Sequence, residues 1–169
     1  MSKSKVIVLK DNFAAVRKQI TGDGLKKAAL AGGFVIEGNA KINVEKTFSS
    51  KATGGAGLGG SIQTVVSKSN DKIAEVDIGP TVIYGRIREL GGMIRPIHAK
   101  KLAWPLGSGG GGGKQKAGGK IFVSDGKVFA DYVQVTPTPY LRPAVDEHEK
   151  EISQAAGHQL KKQIESVTK

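Results

Sequence analysis

Apolar and polar residues alternate along Lys72–Ile78, where Glu75 and Asp77 separate Ala74, Val76 and Ile78. That two-residue period predicts a strand with one buried face and one wet face. The β-rich run Ser61–Ser67 precedes it, and Lys68-Ser69-Asn70-Asp71 supplies the polar turn between them. Gly79-Pro80 ends the second strand, and a shorter β-branched run, Lys5–Leu9, predicts an opening strand near the N-terminus.

Elsewhere the spacing is helical. Phe13, Val16 and Ile20 follow Asp11, a suitable N-cap, and Thr21-Gly22-Asp23-Gly24 interrupts the run. A second helix is predicted from Leu25 to Val44, with Ala28, Ala29, Phe34, Ile36 and Ala40 on a partly helical period. Gly32-Gly33 weakens it by roughly 1 kcal/mol per glycine relative to alanine. Close packing against a neighbouring element accounts for such a pair. Thr81–Leu90 reads as a short helix closed by Gly91-Gly92. The last element is a long helix with Pro143 in its first turn. Asp146, Glu147 and Glu149 near its start and Lys161 and Lys162 near its end complement the macrodipole. Val145, Ile152, Ala156, Leu160 and Val167 form its apolar stripe.

Two segments carry too much glycine to predict regular structure. Residues 45–60 and residues 107–119 are expected to be flexible loops. Before the second lies an apolar patch at Leu102, Trp104 and Leu106. After it, Ile121–Val123 and Val128–Val135 flank Ser124-Asp125-Gly126-Lys127, and Asp-Gly between β-rich runs predicts a hairpin. The expected fold is α+β in a single domain, 1–169. Long helices at the N-terminal and C-terminal ends pack against an antiparallel β-sheet.

Charge changes the picture more than composition does. The 169 residues include 26 Lys and Arg against 15 Asp and Glu, a formal charge of +11. So basic a chain suits contact with a polyanion, although solubility alone could explain it. Aromatics are only 5%, which argues against binding single strands by serial base stacking. With no cysteine there is no disulfide, thiol chemistry or Cys-ligated zinc. No apolar run approaches the length of a bilayer span, and the short stretch Val6–Leu9 is no signal-peptide core. No membrane contact is expected, and synthesis in the cytoplasm is.

Catalytic motifs fail on context. Gly55, Gly57 and Gly60 have the dinucleotide-loop spacing, but helix precedes and strand follows, the reverse of what a pyrophosphate site requires. Gly113-Lys114 and Gly119-Lys120 lack the Walker partners, with Ser108 and Gln115 or Lys114 and Ile121 at the required positions. His98, His148 and His158 have no metal-ligand spacing. The expectation is a protein that is not an enzyme and uses no cofactor or metal.

Several blocks stand in a telling order. Val35–Val44 (VIEGNAKINV) leads to a loop with Thr53-Gly54 and Leu58, then Ser61-Ile62. Ile78-Gly79-Pro80 is followed by Tyr84-Gly85-Arg86-Ile87-Arg88-Glu89-Leu90-Gly91-Gly92. Ile94-Arg95-Pro96, Ala99–Pro105 and Pro137-Thr138-Pro139-Tyr140-Leu141-Arg142-Pro143-Ala144 come next. Over roughly residues 25–165 this succession resembles the tail-completion and head–tail joining family of tailed bacteriophages. Two features depart from it: the usual Pro-x-Asp-Thr-Gly is Lys51-Ala52-Thr53-Gly54, and the 107–119 tract is longer.

The resemblance implies a structural virion subunit, made in the host cytoplasm and located in the neck. It implies a ring homo-oligomer, commonly a hexamer, around the DNA channel. The implied partners are portal-side connector or adaptor proteins on one side and tail tube or tail terminator proteins on the other. The alternative is a nucleic-acid-binding protein without sequence specificity.

Tyr84, Arg86 and Glu89 are candidate interface residues, with Arg86 and Glu89 on one helix face and positioned to order the Gly91-Gly92 turn. Tyr140, Leu141 and Arg142 are the second set. Tyr140 and Leu141 read chiefly as anchors that orient the terminal helix, and Arg142 could reach an acid across a subunit boundary. From Arg95 to Lys120 there are six basic residues and no acid. Lys100, Lys101, Lys114, Lys116 and Lys120 are therefore expected to face DNA or an acidic neighbour.

Overall fold

The computed structural model describes residues 13–48, 55–106 and 115–168. The expected strand at Lys5–Leu9, the cap at Asp11 and the Lys114 side chain lie outside the described residues.

Helix α1 (Phe13–Ile20) ends where the Thr21 hydroxyl donates back to the Arg17 carbonyl, 3.0 Å away. Gly22, with φ at 51°, then turns the chain into α2 (Asp23–Thr47), the 25-residue spine of the molecule. The Gly32-Gly33 pair lets two elements approach that spine. A Cβ on Gly32 would lie 3.3 Å from Ile152 Cγ2 of the C-terminal helix. A Cβ on Gly33 would lie 2.6 Å from Thr64 Cγ2 of the first strand. Close packing thus accounts for both glycines.

Residues 45–60 are not simply a loop. Glu45–Thr47 continue α2, Gly55–Ser61 form a short helix, α3, and 49–54 lie outside the described residues. Leu58 is the reason: it is buried in the core against Val44, and the Ser61 hydroxyl donates to its carbonyl at 2.7 Å. Tertiary docking here overrides the low helix propensity of glycine.

Strands β1 (Ile62–Ser69) and β2 (Ala74–Pro80) form the expected antiparallel hairpin, with Ile62 opposite Pro80 and Val65 opposite Asp77. Its turn is held by the Asn70 side-chain oxygen, which accepts from the Lys72 and Ile73 N–H groups at 2.9 Å. Ala74, Val76 and Ile78 are half-buried while Glu75 and Asp77 are exposed, as the alternation requires. Gly79 and Pro80 belong to the strand instead of ending it.

Helix α4 (Tyr84–Leu90) stops at Gly91, whose φ of 70° suits a residue without a Cβ. The chain then leaves the helical body as an arm of short strands: β3 (Gly92–Ile94), β4 (Leu102–Pro105), β5 (Gln115–Gly118), β6 (Phe122–Ser124), β7 (Lys127–Ala130) and β8 (Tyr132–Val135). They form two antiparallel sheets, ordered β3-β8-β5 and β4-β7-β6. The Asp125-Gly126 turn is as expected, with both residues at positive φ and Ser124 paired to Lys127. The run Val128–Val135 is not one strand, because Asp131 separates β7 and β8 into different sheets. Residues 107–119 are not wholly loop either: Gln115–Gly118 pair with Tyr132–Val135, and 107–114 lie outside the described residues. Leu106 is 60% exposed and closes no core.

The C-terminal helix is also divided, into α5 (Leu141–Asp146) and α6 (Glu149–Thr168). The Glu147 N–H still donates to Pro143, but the His148 N–H reaches only to Val145, a tighter turn that ends α5. Val145, placed on the apolar stripe, is 42% exposed.

The fold is α+β. Among the described residues three small sheets stand in place of a single one, and β1–β2 is the sheet that packs against the helices. Helix α2 lies between that hairpin and α6. The main core gathers Ala40, Val44, Phe48, Leu58, Ile62, Tyr140 and Ala144. Among the described residues no helix is long and apolar enough to cross a membrane.

Candidate functional site

The two residue sets singled out in the sequence meet in space. Glu89, on the last turn of α4, directs its carboxylate at the start of α5. Its Oε2 accepts the N–H groups of Tyr140 at 2.7 Å and Leu141 at 3.0 Å, and its Oε1 accepts that of Arg142 at 3.0 Å. Helix starts leave such donors without backbone partners, and here a carboxylate some fifty residues earlier satisfies them. Charge and dipole act in the same sense.

A second bond closes the same clasp. The Tyr140 ring is fully buried, and its hydroxyl donates to the Gly85 carbonyl at 3.3 Å. Gly85 permits the approach: a Cβ there would lie 2.3 Å from Pro80 Cγ and 3.2 Å from the Tyr140 oxygen. Burial, then the Glu89 carboxylate and Tyr84, push the Tyr140 phenol up to about 12.

The clasp revises the expected role of Glu89. Its carboxylate is engaged within the subunit at the start of α5, while Gly91 packs on Pro137 and Gly92 faces Ile87. Tyr140 anchors α5 from the core, and Leu141 packs half-buried beside it. Arg86 and Arg142 are exposed, and neither is in an ion pair among the described residues. Tyr84 is 42% exposed and lies over Gly57 of α3. Arg88, not among the candidates, stacks its guanidinium over Phe48 at 5.5 Å. No local sequence signal marked that contact.

The basic segment is only partly available to a partner. Lys101 is paired with Asp131, donates to the Lys120 carbonyl at 3.2 Å and lies over the Phe122 ring. The Lys120 N–H donates to the other Asp131 oxygen at 2.6 Å. Lys101 and then Lys120 hold the Asp131 carboxyl below its ordinary range. Lys101 is therefore a half-buried tie between β-strand segments and not an exposed cation. Lys100, Lys116 and Lys120 are exposed.

Many large apolar side chains face solvent. Ile83 is 99% exposed, Ile97 87%, Phe13 82% and Leu90 61%. On the arm, Ile121, Phe122 and Val123 are exposed in succession. His98 and His158 are exposed and His148 is half-buried. Among the described residues no three His, Cys, Asp or Glu side chains gather as metal ligands. Comparison with protein-family models, with curated proteins and with solved structures finds no match to this chain.

Proposed function

We propose that this chain is a structural virion protein of a tailed phage, a tail-completion or head–tail joining subunit that works as a ring around the DNA channel. The reading starts from the ordered sequence blocks. Their two most distinctive members, Tyr84–Gly92 and Pro137–Ala144, are joined by the Glu89 clasp into one structural unit. The observation that carries the assembly reading is a set of exposed apolar side chains: Ile83 is 99% exposed, Ile97 87% and Leu90 61%. Such side chains would be buried if neighbouring subunits packed against them. A ring would use head-to-tail contacts between different faces of identical subunits. Portal-side adaptors and tail tube or tail terminator proteins are the proposed partners, and the virion neck is the proposed location.

Lys100, Lys116 and Lys120 on the arm favour a second, weaker role in non-specific contact with DNA, since phosphate contacts read no sequence. Native mass measured across a concentration series, with electron microscopy of the large species, tests the first reading. Closed rings, hexamers above all, are expected. A chain that stays monomeric and also fails to attach to isolated tails or DNA-filled heads overturns it. Tight, steeply salt-dependent DNA binding by that monomer would favour the alternative.

A further inference from the structure

Helix α2 carries apolar residues on every side, the pattern of a helix covered all round. Gly24 and Gly32 meet α6, Gly33 meets the hairpin, and Ala40 and Val44 enter the main core. A further strip of the same helix faces solvent. Phe34 is 57% exposed, Lys27, Gly38 and Glu45 are exposed, and Ile42 is 45% exposed beside them. At about 100° per residue, Lys27, Phe34, Gly38 and Glu45 fall within roughly 40° of one another around the axis. A Cβ on Gly38 would have nothing within 4 Å, so the strip carries an open notch one turn beyond the Phe34 ring. Lys27 and Glu45 close its two ends, about five turns apart. Neither belongs to an ion pair among the described residues. Lys41, also on this side, is paired with Glu37 at 2.6 Å. Lys26 and Lys46 are turned about 100° away, and Asp23 lies one turn outside the strip.

We propose that this strip is a two-fold contact between two copies of the chain, with α2 packed antiparallel on the partner's α2. Phe34 of each copy fills the notch at the partner's Gly38, and Lys27 pairs with the partner's Glu45. The argument is self-complementarity of charge and shape in one register. In an antiparallel pair centred on Ile36, position 27 stands opposite position 45, and position 34 opposite position 38. Both matches therefore form together, and two-fold symmetry makes each of them twice. A large side chain set into a gap on the facing helix is also how helices pack closely. Nucleic acid fits less well, because one cation and one anion give a polyanion no net attraction. The inference does not depend on the ring. A two-fold contact closes on two copies, whereas head-to-tail contacts use different faces, so this one joins two free chains or two rings alike.

The test is sedimentation velocity of the full chain at low ionic strength, where exposed charges are least screened. One helix from each copy makes a contact at the small end of interface sizes, so the concentration series runs to the highest soluble concentration. A concentration-dependent dimer is expected or, if rings form, rings joined in pairs. K27E and E45K should each weaken the association about threefold to tenfold, because two attractive pairs become repulsive. An equimolar mixture of the two variants should recover it, since opposite charges then face each other at both ends. Such rescue between chains cannot come from a change in the fold of either variant alone. Gly38→Leu should fill the notch and weaken association about tenfold or more. Its circular dichroism should be unchanged, because a Cβ there has open space around it. A chain that stays monomeric, or forms only single rings, overturns the proposal and leaves the strip to a different protein. So does a mixture that associates no better than the separate variants, or association unchanged in Gly38→Leu.

Discussion

Thr64 is fitted to Gly33 on two sides at once. Its hydroxyl donates to the Gly33 carbonyl at 3.3 Å, and its methyl lies 2.6 Å from where a Cβ on that glycine would stand. The bond holds the rotamer that puts the methyl in the way, so Thr64 cannot turn aside without losing it. In this manner the first strand of the hairpin is pressed onto the helical spine.

Gly33→Ala should therefore destabilise the protein, although alanine is the better helix former. The overlap costs about 1–3 kcal/mol, against roughly 1 kcal/mol of recovered propensity. The net expectation is a loss of up to about 2 kcal/mol. Gly38, five residues on in the same helix, has nothing within 4 Å of a built Cβ. Gly38→Ala should stabilise by about 0.5–1 kcal/mol. Urea unfolding of the two variants checks the contrast. Equal effects would mean that the packing at Gly33 is not the controlling feature.

Glu89→Ala removes an acceptor from three N–H groups and should cost about 1–3 kcal/mol. Glu89→Gln keeps the shape and one carbonyl oxygen, and should cost less than alanine but more than nothing. The same unfolding measurement ranks them. If glutamine equals wild type, charge contributes nothing to the clasp.

Tyr140 predicts a loss of stability in alkali. Its phenol, ordinarily near 10, is pushed up to about 12 in the fold. The folded state therefore keeps a proton that the unfolded chain releases. The resulting stability is complete below pH 10 and is lost as pH rises through 12. Phenolate absorbance should show one late titration step that is absent in Tyr140→Phe. That variant should also lose less stability between those two pH values.

Local patterns were legible where local chemistry decides the outcome. Asp125-Gly126 requires two residues at positive φ, and the dipeptide states it. Gly32-Gly33 in a helix signals a neighbour at close range, although not which one. What escaped the sequence was decided at a distance. Val128–Val135 has uniform β character, yet Asp131 divides it by holding Lys101 and the Lys120 N–H. Gly55–Ser61 has the composition of a loop, yet Leu58 is drawn into the core. Tyr84–Glu89 and Tyr140–Arg142 were both conspicuous as separate sets. No periodicity could show that the carboxylate of one serves the backbone of the other.

The arm begins and ends at one place. Gly91 packs on Pro137, the Thr138 N–H donates to the Arg88 carbonyl at 2.8 Å, and Gly92 pairs with Val135. The strands described between those positions, β4 to β7, pair with one another or with β8, and the arm meets the helical body at that stem. Topologically it is an insertion, and the body on either side is already joined by Glu89. The cost of a longer excursion grows only with the logarithm of its length once the stem is closed. Residues between the stem positions are thus free to lengthen, shorten or change composition in evolution while the body keeps its shape. Kindred chains would agree at both ends and diverge in the middle.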